Sequence, residues 1–229
     1  MSTVIYDGTR PDDRLCVVSA YAVRPSAGSE PGVGFAFVNE LQRHVPVLLY
    51  TEAQFISETC KYAITNRWRV RIICIALGES ARQRCWNQGH WSFYFDYWVW
   101  QIRVAFNTFS LDKKRILGFH HLNMIGFREP GYLWLVALLK RRPFSIGPLG
   151  GANYVSPFYY SIYGPRFVVK QAVKNVLNVL SFLIPRVQFA TVVATRVYIC
   201  NSRMLHMFRW GLPFANKHVL PEVFVKPEW

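Results

Sequence analysis

Three short and almost wholly apolar runs constrain this chain most: residues 15–23, 45–50 and 69–77. A strand with one wet face alternates polar with apolar side chains, and these runs do not. Continuous apolarity over so short a length suits a strand whose sheet is covered on both faces. Segments with helical spacing lie between them, at residues 34–43 and 53–65. The alternation resumes downstream. Strand-like runs occur at 116–120, 144–146, 197–200 and 219–220, and helix-like segments at 132–139, 166–183, 187–195 and 202–210. Pro185 is expected to separate two of these helices, and Gly211 to end the last. Strand and helix in turn predict an α/β fold with a doubly wound, mainly parallel, Rossmann-like sheet. The first run should lie at its centre.

The chain has 229 residues and 52% apolar content, enough for one large α/β domain. Residues 1–13 place Asp7, Asp12 and Asp13 ahead of the first apolar run. That stretch reads as a disordered leader rather than a secretory signal. Residues 14–221 read as the domain, and residues 222–229 as the start of a linker. A long insertion covers residues 78–114. Its centre puts Trp91, Tyr94, Trp98, Ile102, Ala105 and Phe109 on one helical stripe. The nearest approach to a membrane span is 167–184, which contains Lys170 and Lys174, so no transmembrane helix is expected. Cysteines 16, 60, 74, 85 and 200 are odd in number and form no CxxC. They read as free thiols in a reducing, cytoplasmic compartment.

The formal charge of +14 points to an anionic partner, and no nucleic-acid motif accompanies it. Lys113-Lys114-Arg115 and Lys140-Arg141-Arg142 lie near Trp98, Trp100, Tyr132 and Trp134 in sequence. They are either ordinary solvated clusters or a docking patch for an anionic membrane surface. The sequence has no G-x-x-x-x-G-K-[ST], G-x-S-x-G or H-E-x-x-H. Glu52 is the one acid placed to hold a ribose after the second strand, and Gly28-x-x-x-Gly32-x-Gly34 is not a dinucleotide fingerprint. A nicotinamide enzyme is therefore not expected.

Ligands of doubly wound sheets bind beyond the carboxyl ends of the strands, where the strand order reverses. Three segments fall at such ends. The first is Gly28-Ser29-Glu30-Pro31-Gly32-Val33-Gly34, where Ser29 can cap a helix, Glu30 and Pro31 suit its first turn, and Gly32 and Gly34 allow close approach. Backbone amides at such a helix start can receive a phosphate. The second is His120-His121-Leu122-Asn123, whose adjacent histidines must point to opposite sheet faces. They have no further ligands at metal-site spacing, and either one can be a structural residue. The third is Gly147-Pro148-Leu149-Gly150-Gly151, a tight turn or an anion-binding loop. Arg128 and Glu129 can close the crevice or form a surface ion pair.

Taken together, these segments resemble one family. Ser19-Ala20-Tyr21, Pro25 and the 28–34 loop are similar to the start of family 4 glycosyltransferases. His120-His121-Leu122-Asn123, Gly126-Phe127-Arg128-Glu129-Pro130 and Gly147-Pro148-Leu149-Gly150-Gly151 follow in similar order there. The resemblance implies the acceptor half of a GT-B fold, in which two Rossmann-like domains face across a cleft. It implies sugar transfer from a nucleotide-sugar to a glycan or lipid-linked acceptor in polysaccharide or glycoconjugate assembly, without metal or cofactor. It implies that His121, with His120 as the alternative, reaches the transferred sugar. Gly28, Ser29, Glu30, Gly32, Gly34, Asn123, Arg128, Gly147, Gly150 and Gly151 would line the donor side. The family's donor-binding glutamate pair belongs to a second domain, so this chain is expected to need such a domain, in trans if separate. The alternative is a non-catalytic module for a membrane surface or protein that retains the fold.

Overall fold

In the computed structural model, residues 2–86, 92–122, 126–151, 162 and 164–220 are described. The strands are β1 (Ser2–Asp7), β2 (Leu15–Ser19), β3 (Val47–Thr51), β4 (Val70–Ile75), β5 (Ile116–His121), β6 (Phe144–Leu149), β7 (Arg196–Ile199) and β8 (Lys217–Val219). They form one sheet in the order β1-β4-β3-β2-β5-β6-β7-β8. Only β1 is antiparallel, to β4, and the other pairings are parallel. The chain steps outward from β2 through β3 to β4, then returns to lay β5 along the other side of β2. The β2–β5 junction is therefore the switch point of a Rossmann-like, doubly wound sheet.

The helices are α1 (Ser29–His44), α2 (Ile56–Thr65), α3 (Glu79–Trp86), α4 (Ser92–Phe109), α5 (Leu133–Lys140), α6 (Pro165–Phe182), α7 (Pro185–Val193) and α8 (Ser202–Gly211). Adjacent strand residues feed opposite cores because side chains alternate along a strand. Val18 and Leu49 pack with Val38 of α1 and Ala63 of α2. Val17 and Leu48 pack on the other face with Trp100 of α4, Val136 of α5, Val187 of α7 and Phe208 of α8.

Three sequence expectations need correcting. Residues 1–13 are no disordered leader: β1 occupies the sheet edge, the Tyr6 hydroxyl donates to the Trp68 carbonyl at 3.0 Å, and the Gly8 amide donates to Val70 at 3.0 Å. The strand is held by backbone pairing along β4 while its side chains are largely exposed, so it lacks the apolar run that marks the inner strands. The α4 stripe is not the helix's buried face: Phe93, Tyr97, Trp100 and Val104 are buried, whereas of the stripe Trp98, Ile102 and Ala105 are half-buried, Tyr94 and Phe109 are exposed, and Trp91 lies outside the described residues. This helix is apolar on most of its circumference, so spacing alone leaves its phase open. Tertiary partners set it: Tyr21 meets the Trp100 ring edge-on at 5.2 Å, and the Trp100 indole donates to the Ile75 carbonyl at 2.9 Å. Trp100 is thus a core residue and no membrane anchor.

The basic clusters meet at the amino edge of the strands, away from the carboxyl rim. Arg142 donates to the Lys113 carbonyl at 3.0 Å, and Lys140 to that of Leu111 at 2.6 Å. Pro185 opens α7, and the α6–α7 axis bends by 56° at the break. Among the described residues no single helix is long and apolar enough to cross a membrane.

Candidate functional site at the carboxyl rim

β5 sets the two histidines on opposite sides of the sheet at the switch point. His120 faces α1, where its ring stacks on Phe37 at 4.2 Å. Its Nδ1 lies 2.7 Å from Ser145 Oγ, and its Nε2 lies 3.0 Å from the Gly147 carbonyl oxygen. An imidazole with both nitrogens engaged and a ring stacked on its face is a structural residue. Burial, reinforced by neighbouring His121, lowers its pKa to about 3.

His121 faces the other layer and is equally buried. Among the described residues neither of its ring nitrogens makes a hydrogen bond of ordinary geometry, although the Glu129 backbone lies within weak hydrogen-bonding reach. Burial lowers its pKa to about 4, with the Glu129 backbone opposing and the Arg186 charge reinforcing the shift. The ring is therefore a neutral imidazole, with one nitrogen able to donate and the other to accept. Leaving such a group unsatisfied costs about 1–3 kcal/mol. Gly131 makes room for it. At φ +67, a side chain there would put its Cβ 2.9 Å from His121 Cε1.

A polar cluster adjoins this ring. Arg186 of α7 donates to Glu129 Oε2 at 2.6 Å and to the Tyr132 hydroxyl at 3.0 Å, and lies over the Tyr132 ring. The Trp98 indole also donates to that hydroxyl. Arg128 donates to Asn178 Oδ1, on α6. Glu129 is mostly buried and pairs with Arg186, so it forms no surface ion pair. The cluster ties the 126–132 loop to α4, α6 and α7.

The glycine loops reach the same rim, with less open backbone than the sequence suggests. α1 begins at Ser29, so Gly28 holds the cap position and Ser29 is the first helical residue rather than the cap. Gly28 has open space where a Cβ would be, and Glu30 lies in the first turn. A Cβ on Gly32 would collide with the Ala27 carbonyl, and one on Gly34 with that of Ala22. Their smallness serves the chain's own packing, the approach of backbone that the sequence allowed for. Gly147, at φ +118, is pressed against the Tyr198 carbonyl and precedes a cis bond to Pro148. The Gly150 carbonyl accepts from the Phe127 amide at 3.2 Å, and Gly126 abuts Gly150 and Gly151. The 126–132 and 147–151 loops therefore close on one another beside β5. Asn123 lies outside the described residues.

Glu52 is consumed by the fold. Its carboxylate accepts from the Gln54 amide at 2.8 Å, the Leu77 amide at 3.2 Å and Arg82 Nε at 3.2 Å. Gly131, Arg186 and Asn178 were not singled out from sequence. Gly131 follows the noted Pro130 and Arg186 follows Pro185, so the turn signals beside them marked the places without indicating the contact. Cys16, Cys60, Cys74 and Cys200 are free thiols, and burial raises Cys16 to about 11. Among the described residues no three His, Cys, Asp or Glu side chains gather as metal ligands would. No protein-family model matches this chain, and no curated protein matches it in sequence.

Proposed function

We propose that the chain is the acceptor-side, Rossmann-like half of a sugar-nucleotide glycosyltransferase. The observation that carries this reading is His121: a buried neutral imidazole with no well-formed hydrogen bond among the described residues, at the carboxyl end of β5 and at the topological switch point. A sugar hydroxyl is a matched ligand, since it both donates and accepts. The order of the glycine and histidine segments along the chain supports the same reading.

In the proposed reaction the bond from the anomeric carbon to the diphosphate oxygen breaks, and a bond to the acceptor oxygen forms. The acceptor proton leaves with the diphosphate. His121 would touch the transferred sugar and position it, while the Glu129–Arg186 pair fixes the 126–132 loop beside it. Gly28, with open space where a Cβ would be, would provide backbone for the donor. A second Rossmann-like domain, in cis or in trans, would bind the nucleotide. The rival reading is a non-catalytic module, favoured by the outward apolar side chains of α6.

The test is sugar transfer from a panel of nucleotide-sugars, with and without a cognate second domain. With that domain present, His121→Ala should reduce turnover at least about a hundredfold, the usual scale for a positioning or proton-handling group. Arg43→Ala, on the exposed end of α1, should leave it unchanged. Equal turnover in both variants would remove His121 from the reaction.

A further inference from the structure

α6 buries Phe182 in the core, yet most of its apolar side chains face outward. Its polar side chains Gln171, Asn178 and Ser181 are buried against the domain, and Asn178 accepts from Arg128. Its apolar side chains at Val169, Val173, Val176, Leu180 and Leu183 follow the i, i+4, i+3 spacing of a single stripe that faces outward. Val169 is 63% exposed and Leu183 68%. Neighbouring helices extend this surface: Phe189 and Val192 of α7, and Leu135, Leu138 and Leu139 of α5. On α1 and α2, by contrast, Ile64 is the one large apolar side chain of comparable exposure among the described residues. Soluble monomers rarely leave an apolar face larger than about a few hundred Å² uncovered.

Charge identifies the occupant. Between Glu129 and Glu222 the chain contains no acidic residue, so every formal charge there is positive. Arg166, Lys170 and Lys174 recur every fourth residue along α6, beside the apolar stripe, and all are exposed. Two copies of this face would bring like charges together, which disfavours a self-association interface. An anionic bilayer matches both components: the apolar stripe enters the acyl boundary, and the basic side chains extend to the headgroups. The polar positions that hold α6 to the domain leave it nothing to offer the far side of a bilayer. With a length of about 27 Å at 1.5 Å per residue, the helix would lie in the interface plane.

We infer that the α5–α6–α7 face docks the chain on an anionic lipid surface, with α6 lying flat in the interface. This is independent of the transferase reading and rests on a different set of side chains from the α4 aromatics, of which Phe95, Phe106 and Phe109 are exposed too, and from the amino-edge basic clusters. The experiment is co-sedimentation of the full chain with phosphatidylcholine vesicles and with vesicles that also contain phosphatidylglycerol, at low and high salt. Binding should prefer the anionic vesicles and weaken with salt. Val173→Asp with Leu180→Asp should cut the bound fraction about tenfold, as charges on an interfacial apolar face do. Circular dichroism and thermal midpoint should stay near wild type, because both side chains are half exposed. Lys170→Glu with Lys174→Glu should abolish the preference for anionic lipid. Ile64→Asp on α2 should have no effect. Vesicle binding unchanged by the α6 substitutions would overturn the inference. So would a dimer in solution that those substitutions dissociate, or resistance of the bound chain to alkaline extraction, which marks a spanning helix.

Discussion

The α1–α2 side of the sheet closes on itself, whereas the α5–α6–α7 side leaves two kinds of group unsatisfied. On the first side His120 has a hydrogen bond for each nitrogen and an aromatic ring against its face, and the helices end in mixed charges such as Glu40, Arg43 and Glu58. On the second, His121 is buried with no well-formed hydrogen bond among the described residues, and the outer helix surface is apolar and basic. The two histidines are adjacent on one strand, so composition and position along the sheet are held constant between them. What differs is the layer each one meets. On the transferase reading, ligand binding therefore falls on the second face.

The largest effect expected from breaking this contrast is on the completed side. Gly34→Ala drives a methyl into the Ala22 carbonyl at the start of α1 and should cost about 3 kcal/mol in urea denaturation. A cost below about 1 kcal/mol would mean that α1 is loosely seated.

The next effect separates the histidines. His120→Ala strips the partners from Ser145 and the Gly147 carbonyl and removes the Phe37 stack, at about 2–3 kcal/mol. His121→Leu removes an unsatisfied polar group at similar volume and should be neutral, or stabilise by about 1 kcal/mol. Equal losses in both would show that His121 has a structural partner.

A smaller effect follows from pH. Unfolded imidazoles take up protons below about pH 6.5, while folded His120 and His121 stay neutral until about 3 and about 4. Unfolding therefore binds protons in that window. The stability these residues contribute is complete above pH 6.5 and is lost as pH falls toward 4. His121→Leu should flatten this slope, read from thermal midpoints across pH 4–7. An unchanged slope would mean that His121 is not buried neutral.

The sheet was legible because its inner strands are apolar on both faces, and only that pattern survives without knowledge of partners. β1 escaped because an exposed edge strand needs no apolar run, only the free backbone of β4. The phase of α4 escaped because its apolar side chains surround the helix, so Tyr21 and Ile75 decided which ones are buried. At the site, adjacency alone established that His120 and His121 diverge. Which one is satisfied depended on Ser145, Gly147 and Gly131, all distant or beyond a turn in sequence. The role of Gly32 and Gly34 was legible only as smallness, and the structure turns that smallness inward.

The claim at the centre of this account is that the open binding capacity lies at His121 and not at His120. Histidine-selective ¹⁵N NMR of the full chain, titrated with nucleotide-sugars in the presence of a cognate second domain, tests it most directly. The account expects saturable shifts of the His121 ring nitrogens while those of His120 stay fixed by Ser145 and Gly147. Shifts confined to His120, or bound sugar that leaves both rings unmoved, would contradict it.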